Sequence, residues 1–346
     1  MFFDPDTLAK IMSEVLSERN VDPNSIQHVV ASVIQTSLRG VDSHGINLFP
    51  HYAKAAEVGR VNPRPRFTIE KTGESTAIFD ADHGFGHHSG ADAMDFAIDM
   101  ALKTGIGATS VRNSTHFGAA AYFGLRAPSR GCLGFSFTNA DALVKAFGTK
   151  TAFFGTNPIC FTAPMEKEDP FCLDMATSIV SWNKIKLNRQ TNTPIPASWA
   201  FDRDGNSVTD PHAAAFLAPS GEYKGFGLGM MVDILCALLA SGPISKDLMA
   251  MYTPPPDSQK RKISHFFLAI SISRFLPLTS FKENIQAIVD RIRAIPPQTA
   301  GSNVMVAGDP EKRAFVVRSE SGIPIEESKF SEFLTLSPKF SQALRQ

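Results

Sequence analysis

Four cysteines in 346 residues, Cys132, Cys160, Cys172 and Cys236, are too few and too scattered for a disulfide framework, and no CxxC pair marks a structural zinc site. They read as small buried hydrophobes in a reducing, cytoplasmic setting. An excess of one charge is also missing. Lys+Arg 34 balance Asp+Glu 34, so no net field recruits nucleic acid or an anionic membrane, and any charge selection is local to a site. The opening MFFDPDTLAKIM has neither a basic start nor a long apolar core, so no secretory signal is expected. The longest apolar run, GFGLGMMVDILCALLASG, is interrupted by Asp233 and falls short of the about 20 residues a membrane span needs. It is expected as a buried helix. The histidines give no metal-ligand signature either, with His87 and His88 adjacent and pointing different ways, so no metal is expected.

What is present alternates. Asp4-Pro5 and Asp22-Pro23 each pair an N-cap with a first helical proline. They predict two opening helices, with Leu8, Ile11, Met12, Val15 and Leu16 on one stripe and Val29, Val30, Val33 and Ile34 on the next; Gly40 releases the second. TAIFD reads as a strand, ADHGFGHHSG as a Gly-rich loop, ADAMDFAIDMALKTG as a helix and IGATSVR as the next strand. LGFSFT, NPICFTAP and FCLDMA follow as β-like runs. NTPIPASWAFDRDGNSVTDP reads as a long ordered loop, SHFFLAISISRF as a strand and FKENIQAIVDRIRAI as an amphipathic helix. The segment TPPPDSQKRK, 253–262, is expected to be exposed and mobile. The class is α/β or α+β.

A dinucleotide fingerprint is absent. Gly84 and Gly86 suit G-x-G-x-x-G, but Gly90 comes one residue late, and no acidic residue closes the following strand. On residues alone these glycines read as a tight turn needing positive φ.

Polar groups cluster beside glycine or proline in DSHG (42–45), RNSTHFG (112–118), GTNP with DMATS (155–178) and EYKGFG (222–227). His44 titrates near neutrality, so it can act as general acid or base with Ser43 or Asp42 orienting it; equally, Asp42 or Ser43 can cap the next segment around a packed imidazole. His116 carries the same ambiguity. Asp174 is a carboxylate at a strand end, with a capping role as the plain alternative. Lys224 can hold an anion at a helix start, or simply be exposed.

Taken in order, DSHGI, GRVNPRP, VRNSTHFGAAAYFG, GTNPICFTAP, LDMATS, IPASWAFDRDGNSVTDP and YKGFGLGMMVDIL resemble the non-Rossmann malate/L-lactate dehydrogenase family, from about residue 8 to residue 311. That family also includes diketogulonate, ureidoglycolate, sulfolactate and cyclic-imine-acid oxidoreductases. The resemblance implies a homodimer with a non-Rossmann nicotinamide-binding fold: a central mixed, largely antiparallel sheet and a helical domain formed by both termini. The corresponding divisions are 1–72, 73–250 and 251–346. It implies NADH or NADPH as cofactor and a small 2-hydroxy acid or 2-oxo acid as substrate. His44 becomes the proton donor and acceptor with Ser43 as relay, and His116 and Gly118 lie beside nicotinamide and substrate. Asp174, Met175, Ala176, Lys224, Gly225, Gly308 and Asp309 hold the cofactor. Where many members have a carboxylate-gripping arginine, this chain has Leu48. Either Arg112 or Lys145 takes that task or the substrate differs; His51 and Tyr52 can line the altered pocket, and Trp182 can narrow its mouth. A cyclic imine acid reductase, or a non-catalytic cofactor-binding homologue, is the alternative.

Overall fold

The computed structural model describes residues 1–252, 258–299 and 301–344. The two opening helices, Pro5–Glu18 and Pro23–Leu38, start as their caps dictate: Asp4 accepts from the Thr7 amide at 2.8 Å, and Asp22 from the Ser25 amide at 3.0 Å. Their apolar stripes meet the chain's other end. Phe2–Phe3 pairs antiparallel with Ile323–Pro324, and Leu8, Met12, Val29 and Phe49 share one core with Ile323, Phe333 and Phe340. A helical unit is thus built from both termini.

The central sheet has seven strands in the order Thr68–Lys71, Thr76–Asp80, Ile106–Ser114, Ile263–Ser271, Cys132–Thr138, Ile159–Ala163, Phe171–Met175. Only Thr76–Asp80 against Ile106–Ser114 is parallel, so the sheet is mixed and largely antiparallel. The late strand Ile263–Ser271 sits at its middle. Helix Gly86–Thr104 packs across the sheet through Ala93, Met94, Ala97 and Ala101.

The Gly-rich loop is shorter than expected, because GHHSG already belongs to this helix. Its glycines serve contact rather than a turn. A Cβ on Gly86 would lie 2.3 Å from the Thr115 carbonyl oxygen, and one on Gly90 would lie 2.7 Å from the Phe123 ring. The positive φ values fall instead on Asp82 and His83, at 45° and 58°. The late third glycine still lets helix and sheet approach, without any Rossmann geometry.

A smaller sheet joins Ala200–Phe201, Phe216–Leu217, Val144–Lys145 and Ala152–Phe154, flanked by helix Trp182–Gln190. That helix escaped the sequence reading because WNKIKLNRQ buries only Ile185 and carries no apolar stripe.

Helix Glu222–Asp233, continued by Ile234–Leu238, is not the buried element expected. Gly229, Val232 and Cys236 face the protein, and Asp233 is buried with the Ser245 amide at 2.9 Å and its hydroxyl at 2.8 Å. Met230 (50 % exposed), Leu238 (57 %) and Leu239 (53 %) stand outside. The run is apolar all round, but this chain covers only one side.

Of the segment expected to be mobile, 253–257 lies outside the described residues, and 258–262 is irregular backbone leading into Ile263–Ser271. Among the described residues no helix is long and apolar enough to cross a membrane.

Candidate active site

The turn carrying His44 is pinned from three sides. Arg318 grips the Asp42 carboxylate with two bonds of 2.7 and 2.9 Å. Asn183, from the unforeseen helix, donates to the Ser43 carbonyl at 3.1 Å. Gly45 presses onto helix Pro23–Leu38, where a Cβ would come within 2.3 Å of the Ser37 hydroxyl. Asp42 is therefore committed to Arg318, and Ser43 is the residue that meets the imidazole, Oγ to Nδ1 at 3.0 Å.

His116 follows the end of strand Ile106–Ser114 and lies in front of His44, ring centroids 6.0 Å apart and near-parallel. The Gly118 amide points at His116 Nδ1 at 3.3 Å, and the Tyr52 hydroxyl meets the same nitrogen at 2.9 Å. An amide can only donate, so Nδ1 is the accepting nitrogen and the ring proton sits on Nε2. Gly118 needs its glycine: φ is +79°, and a Cβ would lie 3.1 Å from His87 Nε2.

Burial lowers the pKa of His44, and lowers that of His116 well below the usual range, with His44 and Arg261 adding positive charge against it. Both rings are therefore neutral at pH 7. Beneath it, His87 is fully buried with both ring nitrogens unpartnered, and its pKa falls to about 3.

The chain from His116 leads to a second group. The Ala121 amide donates to Asp174 Oδ2 at 2.7 Å. Asp174 keeps one side open to solvent, yet the protein crowds it. Burial raises its pKa to about 6 against the lowering effect of that amide. Gly308 lies against the same strand, where a Cβ would sit 3.0 Å from the Cys172 carbonyl oxygen. Asp309 is buried and paired to Arg293, so its carboxylate is structural. Met175 and Ala176 are half-buried beyond Asp174, and the Ser220 amide donates to the Thr177 carbonyl at 2.9 Å. This bond brings the start of helix Glu222–Asp233, with exposed Lys224 and buried Gly225, alongside.

Leu48 is buried in the terminal core. Neither substitute cation is free: Arg112 pairs with Asp80 at 3.1 Å, and the Lys145 ammonium sits 4.3 Å over the Phe201 ring. Arg261 is the cation whose charge reaches His116; it is buried, pairs with Asp141 and donates to the Met249 carbonyl at 3.1 Å. It was missed because it falls in a segment read as mobile. Tyr52 does reach the site, whereas Trp182 packs in the small core under the Arg189 guanidinium.

A family model described as malate/L-lactate dehydrogenase matches residues 3–333. The malate dehydrogenase of Pyrococcus horikoshii is 34% identical over 330 residues, covering 92% of this chain and 90% of that protein. The L-sulfolactate dehydrogenase of Methanocaldococcus jannaschii is 30% identical over 334 residues, covering 96% and 95%. The crystal structure of malate dehydrogenase from Entamoeba histolytica superposes with a TM-score of 0.93 at 30% identity, covering 100% of this chain and 99% of that one.

Proposed function

The chain belongs to the malate/L-lactate dehydrogenase family, and from that premise we propose that His44 exchanges the proton while a nicotinamide ring and a 2-oxo or 2-hydroxy acid meet in front of His116. It is a nicotinamide-dependent oxidoreductase of small hydroxy acids.

The residues present fit a dinucleotide. Asp174 offers an open carboxylate to hydroxyl groups, Gly308 keeps a surface bare that any side chain would fill, and Lys224 stands exposed in a helix's first turn where an anion is favoured. Met175, Ala176 and Gly225 supply backbone between them, and Gly118 keeps the floor beneath His116 open. When bound, the nicotinamide supplies or accepts the hydride. In reduction negative charge grows on the former carbonyl oxygen, and His44 delivers a proton there; in oxidation it takes that proton back. Ser43, bonded to Nδ1, fixes the ring so that Nε2 is the exchanging nitrogen. His116 donates from Nε2 to the substrate, its tautomer held by the Gly118 amide. Arg261 provides the positive field for the carboxylate, in place of a direct grip at Leu48.

The carrying observation is the stacked His44–His116 pair with both Nδ1 atoms engaged by hydroxyls. Mixing the protein with NADH or NADPH and a panel of 2-oxo acids should consume reduced nicotinamide with at least one. Turnover of cyclic imine acids alone would move the chain to imine reduction, and cofactor binding without any turnover would make it a non-catalytic homologue.

The apolar face bearing Leu228, Met230, Leu238 and Leu239 is the surface a second copy would cover, giving a homodimer. Sedimentation equilibrium should return twice the chain mass, and Leu238→Glu should halve it.

A further inference from the structure

A second histidine pair lies where helices Pro23–Leu38 and Gly86–Thr104 pack together. His28, from that helix, stacks on His88 of helix Gly86–Thr104, with centroids 5.2 Å apart and planes 17° from parallel. One turn along the second helix is Asp92. His88 Nε2 faces one Asp92 oxygen at 3.4 Å, and His28 Nε2 faces the other at 3.9 Å. Each Nδ1 is held by a hydroxyl, His88 by buried Ser25 at 3.0 Å and His28 by Tyr122 at 3.4 Å.

We propose that His28, His88 and Asp92 form a site for a divalent transition-metal ion of the Zn²⁺ class, which clamps the terminal helices to the central sheet's helix. Two imidazoles and a carboxylate are a ligand set such ions select, with remaining positions left to water. Hydroxyls on both Nδ1 atoms are the outer contacts that turn Nε2 toward a metal. The ligand atoms already lie within 4.8 Å of one another. Bonds of about 2.0–2.1 Å to a tetrahedral ion put ligand atoms roughly 3.4 Å apart, so closing the site needs small side-chain rotations only. Asp92 is 43 % exposed and gives an entry path, while the Phe67 ring, 4.6 Å from His88, closes the other side. The neighbouring Arg126 charge is already paired to Asp95.

Sequence spacing gives no sign of this site. His83 and His87 stand four apart, but His83 lies in a left-handed turn before the helix begins. His28 and His88 are 60 residues apart, and only the packing of two helices unites them.

The test is titration of tag-free, chelator-treated full-length protein with Co²⁺, followed by visible d–d absorption, then displacement by Zn²⁺. One ion per chain is expected, with affinity falling at least tenfold in Asp92→Asn and in His88→Val, and dehydrogenase turnover unchanged in both. Asp92→Asn keeps shape and exposure, so it reads the site even if His88→Val folds poorly. Absence of a d–d spectrum at ~1 mM Co²⁺, or binding undiminished in Asp92→Asn, would overturn the proposal.

Discussion

Two stacked imidazole pairs share almost the same construction. His44 and His88 each present Nδ1 to a serine hydroxyl at 3.0 Å, while His116 and His28 each present Nδ1 to a tyrosine hydroxyl. What separates them is a carboxylate. Asp92 faces both Nε2 atoms of the second pair, whereas Asp42, two residues before His44, is locked to Arg318. An acid facing the nitrogens favours bound cations; its absence leaves rings whose proton is easily given up. The chemistry of a histidine pair is set by what stands opposite Nε2, not by the rings.

The strongest way to break the comparison is to remove one ring from each pair. His44→Ala should lower turnover by about 10²–10⁴-fold, the range of positioned acid–base catalysis, with cofactor affinity nearly unchanged. His88→Val should leave turnover alone. Equal losses in steady-state assays would mean that both pairs are structural.

Next in size is acid stability. His87 and His265 are fully buried, and burial depresses both pKa values to about 3. The unfolded chain binds protons from about pH 6.5 downward while the folded one resists, so stability present above that pH is lost as pH falls toward 3. The loss should reach a few kcal/mol per ring, visible as a falling urea midpoint between pH 7.5 and 5. A flat midpoint would show that these rings are hydrated.

A smaller effect is expected from hydroxyl removal. Tyr52→Phe should cost about 0.5–1.5 kcal/mol of transition-state stabilisation, a roughly 2- to 12-fold drop in kcat/KM. Tyr122→Phe should have none, and should weaken metal binding instead.

Local chemistry was legible in the chain. Asp-Pro caps placed two helices correctly, and apolar runs placed six of the seven central strands, because both signals act within a few residues; the edge strand Thr68–Lys71, exposed throughout, carries no such run. DSHG was visible as a cluster whose residues alone left Asp42 and Ser43 both open, while the resemblance pointed to Ser43; the fold supplies the reason, since Arg318, 276 residues away, holds Asp42. Arg261 and the Asp92 cluster were not legible for the same reason: each acquires its role from a partner brought up by packing. Helix Glu222–Asp233 misled because apolar sequence reports that a face must be covered, not by which chain.

The most direct test of His44 as proton carrier is the pH dependence of kcat/KM measured in both directions. Because burial lowers the His44 pKa below 6.5 in the free protein, oxidation should rise and reduction should fall through one shared midpoint below pH 6.5, and His44→Gln should erase both limbs. Limbs that differ in midpoint, or that survive the substitution, would contradict the account.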